Sequence, residues 1–172
     1  MALSITLPKM EITKDESLLI FIIKNRIECS ITELMKLCYL IELAFYKKYN
    51  KKRLTDYAYI RYNYWPFENA LYRDVNVLNT QGILQAKMYQ TPYWEDLWKY
   101  SLSQMTEEVD AITQQIFSND DEKQYCSELL AELANFNASE LTKISYETSP
   151  MKKLWATLLG NEHLWATLNF DD

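Results

Sequence analysis

Apolar positions near the start of the chain form a short uninterrupted run over residues 18–23. Asp15 and Glu16 precede the run and Arg26 follows it, so each charge lies at the end of a helix where the helix dipole favours it. Such a run is too short to cross a membrane. The pattern therefore predicts a buried helix over about residues 15–26.

A second amphipathic segment begins with a helix-start signal, because Ser30 and Glu33 have the Ser-x-x-Glu spacing of a capping box. Apolar residues then repeat every three or four positions, at Leu34, Leu37, Cys38, Ile41 and Phe45. The apolar stripe is broad, which is typical of a helix that contacts several neighbours. We therefore predict a central helix over about residues 31–48.

Alternating side chains replace helical spacing over residues 57–64, as expected of a half-buried strand. Trp65-Pro66 ends this strand, and proline suits the first turn of a helix that we expect to continue to about Asn79, before Gly82. Residues 83–89 form a second predicted strand. The two strands could pair as a small sheet beside the helices, in either direction.

The second half of the chain alternates helix-start signals with short apolar patterns. The aromatic stretch over residues 92–100 has no clear period and is assigned mostly to a loop. Helix starts follow at Thr106, Asn119, Asn137 and Ser149-Pro150, and Gly160 closes the last helix.

The sequence Leu-Trp-Ala-Thr-Leu occurs twice near the end of the chain, at residues 154–158 and 164–168. Two copies are too few for a solenoid. We interpret the first copy as part of the core and the second as either packing or a docking tail.

Composition favours helices, since the 172 residues include only two glycines and four prolines and offer few sharp turns. A chain of this length folds as one domain and buries about 70% of its unfolded surface. We therefore expect a mainly α, compact helical bundle around the helix at 31–48, with a small two- or three-stranded sheet from residues 57–64 and 83–89. Residues 1–160 form the predicted domain, and residues 161–172 form a tail.

The net charge of −6 argues against a general nucleic-acid or membrane-surface binder, because such binding needs many cations. The chain's dense basic cluster consists of Lys47, Lys48, Lys51, Lys52 and Arg53. We interpret this cluster as a solvated helix end.

Catalytic and cofactor motifs are scarce in the sequence. Three cysteines show no metal-ligand or disulfide pattern, which favours the reduced cytosol, and no glycine-rich phosphate loop can be written. A single histidine, His163, lies close to the end of the chain and is a poor basis for acid–base catalysis. We expect no enzyme activity, no metal and no cofactor.

Aromatic residues make up 14% of the chain and concentrate in residues 57–67 and 89–100. Tyrosine and tryptophan are enriched at the hot spots of protein interfaces. Lysine and arginine are nearly absent from both segments, which argues against stacking on single-stranded nucleic acid. A protein-binding surface, or a tyrosine-rich core, explains these residues better.

Three segments in order resemble the Panacea domain, the SocA-like, phage-associated antitoxin family. They are Leu34-Met35-Lys36-Leu37-Cys38-Tyr39-Leu40, then Arg53-Leu54-Thr55-Asp56, then Tyr62-Asn63-Tyr64-Trp65-Pro66-Phe67. Leu71-Tyr72, Gly82-Ile83 and residues 140–147 also fall where the family has similar steps. Trp65 stands where the family has a glycine that makes a tight turn, and Tyr146 stands where it has a histidine.

The resemblance implies a cytoplasmic antitoxin that neutralises a cognate protein toxin by direct binding, and in some members delivers it to a protease. On this basis we predict a partner-binding surface made of Tyr62, Tyr64, Trp65, Phe67 and Tyr72. Two alternatives stay open. A winged-helix-like transcription regulator of a phage or mobile element would show salt-sensitive duplex binding. An unrecognised hydrolase or transferase that uses carboxylates and tyrosines would show a perturbed carboxylate pair in a pocket.

Overall fold

The computed structural model describes residues 11–62, 65–156 and 167–172. The described helices are α1 (Lys14–Arg26), α2 (Ile31–Lys48), α3 (Asn69–Thr80), α4 (Glu107–Gln114), α5 (Asp120–Leu133), α6 (Ala138–Tyr146) and α7 (Ser149–Ala156). The described strands are β1 (Glu28–Ser30), β2 (Ile60–Tyr62), β3 (Trp65–Phe67), β4 (Leu84–Gln90) and β5 (Asp96–Leu102). The fold is mainly α, as predicted, and the described strands form two small antiparallel sheets.

Helices α1 and α2 pack together at the centre of the fold. Both begin with a capping box, formed by Thr13 with Glu16 in α1 and by Ser30 with Glu33 in α2. The apolar run of α1 is buried on every side, because α1 contacts α2, α3, α4, α5 and β5. Helix α2 contacts α1, α5, α6 and β3. The prediction of a central helix over 31–48 is confirmed, and α1 shares that central position.

Removing the Ser30 cap tests how much this local signal contributes to stability. Ser30 is buried, its hydroxyl accepts a hydrogen bond from Glu33 N, and its own N–H donates to Glu33 Oε2. We expect Ser30→Ala to lower the free energy of unfolding by about 1 kcal/mol. Ser30→Thr keeps the hydroxyl and serves as the control in urea unfolding; equal losses in both variants would assign the effect to packing.

The larger sheet has the strand order β1-β5-β4, with both pairs antiparallel. Strand β4 confirms the predicted strand at 83–89, but its partner is β5, in a stretch that we had assigned mostly to loop. Trp98 and Tyr100 lie in β5, opposite Met88 and Ala86. The loop assignment is wrong for residues 96–100, which lie in β5, whereas residues 92–95 form the turn. Burial does not alternate over the inner half of β5, because every residue from Lys99 to Leu102 is half-buried.

The predicted strand over 57–64 begins only at Ile60 in the structure and pairs differently. Strand β2 forms an antiparallel pair with β3, so the expected pairing of 57–64 with 83–89 is wrong. Pro66 lies in β3 opposite Arg61, and helix α3 begins only at Asn69. Proline is tolerated there because a two-stranded sheet has an edge on both strands. Trp65 therefore has extended backbone in a strand, and no positive φ is required at this position.

Glu42 of α2 organises the segment between α2 and β2. Its buried carboxylate accepts hydrogen bonds from Arg53 Nη2 at 2.9 Å, from Leu54 N at 3.1 Å and from Thr55 N at 2.8 Å. Lys52 also pairs with Glu122 of α5, at 2.6 Å. The interpretation of the basic cluster as a solvated helix end is therefore wrong for Lys52 and Arg53, which hold elements together.

The last residues of the chain return to the core. Leu168 N donates a hydrogen bond to Tyr59 O at 2.9 Å, and Thr167 forms an isolated bridge with Ile60. Leu168 and Phe170 are buried, and the Phe170 ring stacks on the Tyr59 ring. His163, Gly160 and most of the second Leu-Trp-Ala-Thr-Leu copy lie outside the described residues.

Candidate functional site

Four aromatic side chains meet beside the β2–β3 hairpin. The ring centroid of Tyr62 lies 5.6 Å from that of Trp65 and 5.4 Å from that of Phe67. Phe67 in turn lies 5.7 Å from Tyr72, on the first turns of α3. These are ordinary distances for aromatic pairs. The hairpin brings residues 62, 65 and 67 together, and α3 adds the fourth ring.

The four rings line a cavity of about 170 Å³, which we call the aromatic pocket. Met35 and Lys36 of α2 form its buried base, and Thr32 and Thr142 complete the described lining. Helix α6 reaches the pocket because it packs on both α2 and β3. Tyr72 is 43% exposed, so one wall of the pocket is accessible from solvent.

Lys36 gives the pocket its distinctive chemistry. Its side chain is only 2% exposed, and Nζ lies 4.6 Å from the centroid of the Trp65 ring. Among the described residues, no carboxylate lies within 4.0 Å of this ammonium. Burial lowers the pKa of Lys36 to about 8. The lysine is thus a buried cation whose described contact is an aromatic face.

The contact with Trp65 offsets only part of the burial of this charge. A cation–π interaction contributes about 1–2 kcal/mol, whereas removing an ammonium from water costs several kcal/mol after relaxation. The lowered pKa has the sign expected when desolvation prevails. Lys36 is therefore a position where an added anion would be stabilised.

The structure brings together four of the five residues predicted to bind a partner: Tyr62, Trp65, Phe67 and Tyr72. Tyr64 lies outside the described residues. Their binding role stays a prediction. Sequence reasoning missed Lys36, Met35 and Thr142 as members of the same site. A lysine inside the apolar pattern of a central helix was the available signal for Lys36.

No carboxylate or thiol belongs to the described lining of the pocket, and the three cysteines are buried in the core. Glu42 is paired with Arg53 in the connection after α2, and burial raises its pKa. Burial also raises the pKa of Cys29 and of Cys126 to about 12. Within the described ranges, no cluster of three or more histidine, cysteine or acidic residues could hold a metal ion. The described lining of the aromatic pocket is suited to binding and carries no nucleophile–base pair.

None of the helices in the described part of the chain is long and apolar enough to span a membrane.

Comparison with known proteins places the chain in a family. The profile described as antitoxin SocA-like, Panacea domain, matches residues 34–151, which run from the first turn of α2 into α7. No curated protein and no solved structure matches the chain. The match covers more than half of the chain and includes every described residue of the aromatic pocket except Thr32. The chain belongs to the SocA-like antitoxin family of Panacea domains.

Proposed function

We propose that this protein is the antitoxin of a toxin–antitoxin module and that it neutralises its cognate toxin by direct contact at the aromatic pocket. Family membership supports the antitoxin role in general. The observation that carries the specific proposal is the convergence of four aromatic side chains on an open cavity. Rigid aromatic side chains around a pocket are typical of the residues that dominate binding energy at protein interfaces.

Electrostatics favours a toxin with a basic surface. The chain carries a net charge of −6, which would attract a positively charged partner and raise the rate of encounter. Delivery of the bound toxin to a protease is a second step that the same complex could serve. Blocking by contact and delivery to a protease differ in whether toxin abundance falls when the antitoxin is present.

Trp65 is the residue to test first, in cells that express the adjacent open reading frame with or without this protein. Wild-type protein is expected to relieve toxicity, and Trp65→Ala is expected to lose relief because affinity falls by about 30-fold or more. Trp94→Ala is the matched control, since Trp94 is 79% exposed at the turn between β4 and β5 and does not line the pocket.

Each outcome of this assay addresses a separate part of the proposal. Relief by Trp65→Ala equal to wild type would reject the pocket as the toxin-binding surface. Toxicity that wild-type protein does not relieve would reject the antitoxin assignment for this gene pair. Thermal unfolding of both variants separates loss of binding from loss of folding.

One structural observation favours a second candidate function, duplex DNA binding by a transcription regulator. Helix, strand and helix (α1, β1 and α2) are followed, after the inserted β2–β3 hairpin, by α3 and the β4–β5 hairpin, with β1 beside β5. Winged-helix domains share this order of elements. The acidic residue of α3, Asp74, is buried and accepts a hydrogen bond from the Tyr57 hydroxyl at 2.7 Å. Arg73, which pairs with Asp74 at 3.2 Å, and Asn76 lie on the exposed face of α3.

The regulator hypothesis predicts that duplex binding weakens steeply as salt rises, and that Arg73→Ala abolishes it. The net charge of −6 opposes this function. Salt-independent or undetectable binding to the DNA upstream of the gene would reject it.

A further inference from the structure

The ammonium of Lys36 lies at the base of a pocket whose described lining contains no carboxylate. We propose that Lys36 binds the carboxylate of an aspartate or glutamate side chain that the partner protein inserts into the aromatic pocket. This inference rests on the proposed function of the pocket and adds the chemistry of the group that fills it.

Burial in the free protein prepares Lys36 for an anion. An ion pair usually forms only after both charges lose water, and that loss opposes binding. The Lys36 side chain is already 2% exposed, so its ammonium is largely desolvated before the partner arrives. An incoming carboxylate would gain the attraction of the buried cation while only its own hydration is lost. The lowered pKa of Lys36 agrees with such a desolvated amine.

The walls of the pocket fit the stem of an acidic side chain. Tyr62, Trp65 and Phe67 offer aromatic surface to the methylene groups, above the ammonium at the base. Tyr72, which is 43% exposed, forms the accessible side. Apolar walls with one convergent charge are typical of selective ligand pockets.

An acidic side chain fits the described lining better than a chain terminus does. Proteins that capture a terminal carboxylate commonly do so with successive backbone N–H groups. The described lining of the aromatic pocket comes instead from residues of five separate elements, α2, β2, β3, α3 and α6, rather than from one loop. We therefore assign the occupant to an internal residue of the partner.

The charge in the pocket and the net charge of the chain together indicate which charges the partner surface carries. A net charge of −6 favours a basic partner, whereas Lys36 requires one local acid. The expected surface is therefore an aspartate or glutamate surrounded by lysine and arginine. Such a combination would reject uniformly basic proteins, because their cations would face Lys36.

The first test needs no toxin and uses the full chain with isotope-labelled lysine and tryptophan in NMR titrations. The probe is the acetylated and amidated peptide Ser-Leu-Glu-Leu-Ser at millimolar concentration. We expect it to shift the Lys36 side-chain and Trp65 indole resonances. The glutamine analogue should shift them at least about tenfold less, and Lys36→Met should abolish the Trp65 shift.

Two results of the titration would overturn the proposal. Equal shifts with the glutamate and glutamine peptides would show that Lys36 does not recognise charge. Shifts produced instead by the glutamine peptide with a free carboxyl terminus would assign the pocket to chain ends.

The second test uses the toxin of the adjacent open reading frame and compares two lysines of the same helix. Lys36→Met is expected to weaken binding at least about tenfold, whereas Lys47→Met, at an exposed position of α2, should change it less than about twofold. If Trp65→Ala abolishes binding and Lys36→Met does not, the present inference fails while the proposed function stands. If wild-type protein does not bind the toxin, the proposed function fails, and the peptide titration still decides the role of Lys36.

Discussion

Replacing Glu42 by alanine is expected to lower the free energy of unfolding by about 3–5 kcal/mol, the largest loss that we expect from a single substitution. The Glu42 side chain is fully buried, with 0% exposure, and pairs with Arg53. It also accepts hydrogen bonds from the backbone N–H groups of Leu54 and Thr55 and from the Thr55 hydroxyl at 2.6 Å. Alanine would leave these donors unsatisfied inside the protein.

Glu42→Ala should also weaken the hydrogen bonds that hold the connection between α2 and β2. Arg53 also donates to Tyr57 O, so the Glu42–Arg53 pair holds both ends of the segment 53–57. Burial raises the pKa of Glu42, while Arg53 and the Thr55 hydrogen bonds lower it. Burial is the largest of these influences on the Glu42 pKa, so the network offsets only part of the cost of removing the carboxylate from water. Removing the carboxylate alone leaves its partners desolvated and without their acceptor.

Glu42→Gln is the control for the alanine variant in urea unfolding. Glutamine keeps the volume and one acceptor oxygen, but it places an amide donor among other donors. We expect Glu42→Gln to lower the free energy of unfolding, but by less than Glu42→Ala does. A loss below about 1 kcal/mol for Glu42→Ala would contradict the role assigned to this network.

Lys36→Met is expected to do the opposite and raise the free energy of unfolding by about 2 kcal/mol. Burial lowers the pKa of Lys36 from 10.5 to about 8, which corresponds to roughly 3 kcal/mol of destabilisation while the amine is charged. Methionine fills a similar volume without the charge. It also gives up the contact with Trp65, which contributes about 1 kcal/mol in the opposite direction.

The pH dependence of this difference has a defined sign. The folded protein binds the Lys36 proton more weakly than the unfolded chain does, so wild-type protein is destabilised at all pH values below about 8. The penalty declines as pH rises from about 8 toward 10.5, because the folded protein then releases the Lys36 proton and the cost of releasing it falls as pH approaches the unfolded pKa. The advantage of Lys36→Met should therefore be greatest near neutral pH and should shrink in alkaline buffer.

Thermal and urea unfolding at pH 7 and pH 10 measure this difference, with Lys47→Met as the control on the same helix. Lys47 is exposed, so its replacement should change stability by less than about 0.5 kcal/mol. A destabilised Lys36→Met variant would show that the ammonium makes a net stabilising contact in the free protein. A stabilised variant that no longer binds the toxin would show that the buried charge is retained for recognition.

Local signals in the sequence were sufficient for most helices. Ser30 and Glu33 predict the first turn of α2, and Asn119 and Asn137 predict the starts of α5 and α6, because capping depends on residues three positions apart. Gly82, with φ of 76°, lies just past the end of α3 for the same local reason. The family resemblance likewise depended on short segments in a fixed order.

Strand pairing and the composition of the pocket required the tertiary structure. Pro66 resembles a helix start within its own segment, and only the pairing with Arg61 shows it in a strand. Aromatic density indicated Tyr62, Trp65, Phe67 and Tyr72, but Lys36 is separated from Trp65 by a loop and a strand along the chain.

The sequence alone thus determined most helix starts, the main apolar faces and the family, because these depend on side chains that are neighbours along the chain. The fold decided which strands pair and which lysine is buried against an aromatic ring. Burial is a property of the surroundings that distant segments supply, and the same lysine on an exposed helix would keep its water and its ordinary pKa.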